Sequence, residues 1–170
     1  MEEKCEIGKI RENCSKSYSL VVNSDNTKLF YGTNNFDIKV YDLEKKFILK
    51  VLKGHTDCIS ILKLSKDQKY LFSGANDGLV KIWDIDNDFA LIRTINYRKK
   101  IFCLFICPSN KFLFIGGSRY KTISKINLSK ILNESKFKSL TKNNFNSNTL
   151  ESEKDNKTVS YTHLTLPTKA

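Results

Sequence analysis

Short apolar runs separated by polar turns recur along most of the chain. Leu20 and Val22 alternate with Val21 and Asn23 before Ser24-Asp25-Asn26 breaks the run. Lys28-Leu29-Phe30-Tyr31, then Ile38 to Asp42, then Phe47 to Leu52 follow, each bounded by polar residues. Runs of four to six β-branched and aromatic residues with turn formers between them read as antiparallel strands. The same order returns: Ile59, Leu62 and Leu64, the turn Ser65 to Gln68, Tyr70 to Ser73, Leu79 to Trp83, and Phe89 to Ile95. A short strand-like piece, Cys5 to Ile10, precedes the first set.

The two sets are copies. A shift of 42 residues lays Trp83 on Tyr41, Asp84 on Asp42, Gly74 on Gly32 and Leu71 on Leu29. A shift of 43 in the other direction carries Gly74 to Gly117, Leu62 to Phe105, Leu64 to Cys107 and Ile85 to Leu128. Pro108-Ser109-Asn110-Lys111 then stands on the turn Ser65 to Gln68. Three copies of a four-strand unit near 42 residues predict a repeat architecture in which each unit buries its apolar faces against its neighbours.

The middle copy opens with Gly54-His55 and closes with Trp83-Asp84, and with these residues it resembles a blade of the WD-repeat β-propeller family. The fold implied is all-β: an incomplete β-propeller of about three four-stranded antiparallel blades, with a disordered C-terminal tail. Residues 1–11 would be an N-terminal strand segment, 12–53, 54–96 and 97–128 the blades (the third partial), and 129–158 a linker or tail rich in Asn, Ser and Lys. The resemblance also implies a buried structural tetrad of His55, Ser73, Asp77 and Trp83. Indole donates only, hydroxyl and neutral imidazole both donate and accept, and carboxylate accepts, so the four can satisfy one another in a chain. The first copy has Asn13, Tyr31, Asn35 and Tyr41 at those positions, and the third Arg98, Gly116, Tyr120 and Ile126.

Three blades cannot close a ring, since propellers have four to eight. The chain is therefore expected to be the N-terminal part of a longer propeller, or else to self-associate. Members of the family resemble rigid platforms for peptides and domains, which implies a non-catalytic scaffold with protein partners on its loop face. Asn34, Asn76 and Arg119, each just before a tetrad Asp position, are candidate partner contacts, with Asp57, Cys58 and Ser60.

Composition adds one alternative and removes several. Lys and Arg number 29 against 18 Asp and Glu, a net charge of +11. Lysine dominates, and no arginine–aromatic cluster marks a nucleic-acid stripe. RNA or ribonucleoprotein association nonetheless remains the rival function, favoured if Lys63, Lys66, Lys69, Arg98, Lys99, Lys100 and Lys111 share one surface. A truncated, inactive product is the third reading. Five cysteines, an odd number without a Cys-x-x-Cys pair, fit a reduced intracellular setting, cytoplasmic or nuclear, and Cys103 and Cys107, in an apolar run, read as small buried hydrophobes. No run suits a signal peptide or a membrane span. No Gly-x-Ser-x-Gly, zinc-ligand set or Gly-Lys-Ser/Thr cradle appears, so no catalytic residue, metal or cofactor is expected. Residues 159–170, VSYTHLTLPTKA, resemble a translated sequencing-library adapter and are expected to stand outside the fold. A weak strand near Lys136 to Leu140 would complete the third blade instead.

Overall fold

A computed structural model of the chain describes residues 19–118, 122–132 and 162–165. The first sheet joins β1 (Leu20–Val22), β2 (Lys28–Gly32), β3 (Ile38–Asp42) and β4 (Phe47–Leu52) in that order. The second joins β5 (Ile59–Leu64), β6 (Tyr70–Ala75), β7 (Leu79–Asp84) and β8 (Ala90–Asn96). The third joins β9 (Ile101–Ile106), β10 (Phe112–Gly117), β11 (Thr122–Asn127) and β12 (Thr162–Thr165). All pairings are antiparallel. Sheet stacks on sheet: β5 packs against β1 and β2 of the first sheet, and β9 against β5 and β6 of the second, in an incomplete β-propeller.

Every turn between the first two strands of a blade is built alike. Asn23, Ser65 and Cys107 each accept, through the side chain, the amide of the residue five positions on: Lys28 at 2.8 Å, Tyr70 at 3.0 Å and Phe112 at 3.1 Å. Asn26, Gln68 and Asn110 close these turns with φ of 58°, 60° and 53°, and Asn tolerates the left-handed region better than most residues. Turns also touch across blades in a repeating way. The Ser24 amide donates to Gln68 Oε1 and the Lys66 amide to Asn110 Oδ1, both at 3.1 Å.

The seams hold the core. One cluster, including Phe30, Ile38, Val40, Leu62, Leu71 and Trp83, lies between the first and second blades; the other, including Phe72, Ile82, Leu104, Leu113 and Ile115, lies between the second and third. A Cβ on Gly32 would come 2.8 Å from Ile59 Cβ, and one on Gly74 would come 2.7 Å from Ile101 Cγ2. Glycine at these matching positions allows the next blade's first strand to approach closely.

The third blade corrects the expected alignment. Its first two strands follow the second blade at a shift of 42, so Leu104 (not Phe105) takes the place of Leu62, and Ile115 (not Gly116) the place of Ser73. The extra residue enters after β10, and β11 then follows at 43, with Ile126 opposite Leu113 as Trp83 is opposite Leu71. A slip of one residue reverses every side chain in a strand. Leu104 is accordingly 3% exposed and Phe105 60%. Cys103, on the same outward face as Phe105, is exposed, which corrects its reading as a buried hydrophobe. Cys107 is half-buried, a turn residue whose Sγ also lies 3.1 Å from Ser109 Oγ, the hydrogen bond that holds its thiol below the ordinary value.

The stretch expected to be a tail begins with order: residues 128–132 form a short helix, α1, that buries Leu128 and Ile131 against the second core cluster. The i, i+3 spacing puts both on one face of a turn. Residues 133–161, with the expected strand near Lys136, lie outside the described residues, as do Cys5 to Ile10, Asn13, Arg119 and Tyr120. The outer strand of the third blade is β12, paired with β11 from Thr122↔Thr165 to Lys125↔Thr162. Part of the segment expected to stand outside the fold thus fills the open edge of β11, whose amides and carbonyls need a partner strand. No described helix is long and apolar enough to cross a membrane.

Candidate functional site: the loop end of the second blade

Antiparallel order places three connections at one end of the stack: 54–58 leading into β5, the β6–β7 turn at 76–78, and the β8–β9 loop at 97–100. A chain of hydrogen bonds runs to this end from the strands. Trp83 Nε1 on β7 donates to Ser73 Oγ on β6 at 3.0 Å. Ser73 Oγ and His55 Nε2 are 2.8 Å apart, and His55 Nδ1 lies 2.8 Å from Asp77 Oδ2. Asp77 also accepts the amides of Thr56 at 3.0 Å and Leu79 at 2.9 Å.

Donor inventory fixes the directions. Asp77 accepts, so Nδ1 carries the imidazole proton; Nε2 then accepts from the Ser73 hydroxyl, whose oxygen takes the indole N–H. Burial holds the His55 pKa below its ordinary value, and Lys81 nearby pushes the same way against the pull of Asp77. A protonated ring would donate from both nitrogens and leave the Ser73 O–H without its acceptor.

Strand alternation puts Ser73, Trp83 and Lys81 on the face of the second blade that the first blade covers. Ser73 is fully buried. The order Ser73–His55–Asp77 has the spacing of a nucleophile, a base and an orienting acid, but no substrate atom can reach an Oγ with no exposed surface. What the four residues can do is tie the 54–58 segment and the 76–78 turn to the sheet. Sequence reasoning passed over Lys81, which is 6% exposed and donates to Thr94 Oγ1 at 3.1 Å. Alternation with Val80 and Ile82 was its one signal.

The neighbouring blades carry other chemistry at the matching ladder positions. Tyr31 and Tyr41 stand where Ser73 and Trp83 do, and Ile115 and Ile126 in the third blade. In the third blade, Ile115 and Ile126 are buried in the core cluster of the second seam, apolar packing where the second blade has a polar chain.

The candidate contact residues among the described ones are spread over the same end. Asn76, half-buried, donates its amide to the Cys58 carbonyl at 2.9 Å. Asp57 Oδ1 accepts the Cys58 amide at 2.6 Å, and the Cys58 thiol is half-buried and free. The Ser60 hydroxyl is turned into the seam, where it donates to the Ile101 carbonyl. Asn34 is half-buried in the corresponding turn of the first blade, and Arg119 lies outside the described residues. A cavity of about 640 Å³ opens between the second and third blades, lined by Asn76, Asp77, Gly78, Arg98, Lys99, Lys100 and Ser118. The run Arg98-Lys99-Lys100 was its signal in the sequence. Among the described residues no group of three His, Cys, Asp or Glu side chains could hold a metal ion.

The WD domain, G-beta repeat family model matches residues 46–84, a span that contains the whole hydrogen-bonded chain. No curated protein matches the chain.

Proposed function

We propose that the chain, whose residues 46–84 match the WD domain, G-beta repeat model, acts as a non-catalytic platform for protein partners, which it meets with the loop end of the second blade. WD-repeat propellers are typically protein-binding scaffolds, and this reading is carried by one observation. The polar groups that could do chemistry at this end, His55, Ser73 and Asp77, are spent on one another and on backbone amides. The result is a loop and a turn held rigid without ligand, and a preformed surface loses little entropy on binding.

The cations give less support to RNA. Arg98, Lys99 and Lys100 sit at the loop end, whereas Lys66, Lys69 and Lys111 belong to the β5–β6 and β9–β10 turns at the opposite end, and Lys63 lies within β5. A tracked phosphate backbone needs a continuous basic groove.

Cross-linking mass spectrometry on the chain in complex with proteins purified from its own cells tests the proposal. Cross-linked partner peptides should concentrate on residues 56–58, 76 and 97–100. Cross-links concentrated instead on the turns at 65–69 and 107–111 would overturn it.

A further inference from the structure

The geometry points to the cavity between the second and third blades as a binding site for an acidic peptide segment, with Arg98 and Lys100 as the carboxylate-binding residues. This deepens the platform reading and rests on it.

The cavity is built, not incidental. Tyr97 donates its amide to the Gly78 carbonyl at 2.8 Å, and Ser118 donates its amide to the Lys100 carbonyl at 3.0 Å. These two bonds tie the β8–β9 loop to the turn on one side and to the end of β10 on the other. Gly78 has φ of 80°, and a Cβ there would sit 2.8 Å from the Lys99 amide nitrogen. Backbone thus packs directly on backbone, and the loop cannot close over the cavity without breaking that contact. At about 640 Å³, the volume falls in the usual range of pockets that enclose a small ligand.

Its charge is one-sided. Arg98 and Lys100 are exposed and Lys99 is half-buried. The single carboxylate among the described lining residues, Asp77, already receives His55, Thr56 and Leu79 on its two oxygens. Two exposed cations, Arg98 and Lys100, therefore line a cavity whose one described acid is engaged elsewhere. The field this sets up draws in anions. Arg98 offers a planar fork suited to a carboxylate, and neighbouring Lys100 a second point charge. Among the described residues the lining holds no aromatic side chain on which a base could stack, which favours a peptide carrying closely spaced carboxylates over a nucleic acid.

Fluorescence anisotropy with the full chain and a short labelled peptide of alternating Glu and Ser tests this. The Glu peptide should bind, and the matched Gln peptide should bind at least about tenfold more weakly. The double variant R98Q/K100Q should lose binding to the same degree, while R98K/K100R retains it. K66Q/K69Q/K111Q, which removes more charge from the opposite end, should bind like the parent. Circular dichroism and thermal melts on each variant separate misfolding from lost contact. Equal loss in the two Gln sets, or equal affinity for the Gln peptide, overturns the proposal. So does tighter binding of a single-stranded oligonucleotide of equal charge that R98Q/K100Q leaves intact. If the Glu peptide fails while partner cross-links still map to residues 97–100, the ligand class falls and the platform reading stands.

Discussion

At the scale of the residue, His55 is a joint between strand and loop. Replacing it by Ala leaves Ser73 without an acceptor and Asp77 short of one donor in a buried place, at a cost of about 1–3 kcal/mol; urea unfolding should report a lower midpoint with an unchanged slope. The same ring gives the chain a pH dependence of definite sign. The unfolded chain takes up the imidazole proton near the ordinary value of 6.5, and the folded chain only at lower pH, because burial disfavours the charge. Between those two values the unfolded state binds more protons, so stability falls as pH drops from about 6.5 and levels off below the folded pKa. Unfolding curves across this range should show the decline in the parent chain and lose that component in His55→Gln.

The elements are tuned at their turns and seams. Cys107 fills a place that Asn23 and Ser65 fill with better acceptors, since sulfur is a weak one. Cys107→Ser should stabilise the chain, or leave it unchanged, within about 1 kcal/mol, and Cys107→Ala should destabilise it by a similar amount. At the second seam, Gly74→Ala forces a Cβ against Ile61 and Ile101 and should cost about 1–3 kcal/mol. Pairing it with Ile101→Ala should recover part of that loss, a coupling that a double-mutant cycle reads directly. Register in the third blade is tested by two adjacent truncations. Leu104→Ala should cost about 2–5 kcal/mol and Phe105→Ala far less, since only the first opens a cavity.

On the scale of the whole molecule, the described residues leave apolar side chains exposed on the first and third sheets. Leu20, Val22 and Val51 are exposed on the first blade, and Phe105 and Ile123 on the third, where Phe105 also meets Phe114. Apolar exposure of this kind favours association. Sedimentation velocity should show concentration-dependent self-association that Phe105→Lys reduces, while thermal stability changes little because the side chain is already in solvent.

Much of this was legible in the residues themselves. Alternation and turn chemistry act within a few positions, so the strands of the first two blades and the matched turns at Ser24, Lys66 and Pro108 could be read locally. The set His55, Ser73, Asp77 and Trp83 was legible through the resemblance to a WD-repeat blade, and donor and acceptor inventory gives the reason that the four can satisfy one another. Three things needed the tertiary structure. Leu104 and Phe105 are chemically alike, so which of them is buried depends on strand register, which the neighbouring ladder sets. The partner of the open β11 edge is separated from it by a long stretch of chain, and backbone hydrogen bonding, which supplies most of that pairing, leaves little trace in side-chain identity. The cavity at Arg98 and Lys100 exists only because the Gly78 turn packs on a loop of the next blade. A basic run becomes a site when a distant turn supplies its other wall.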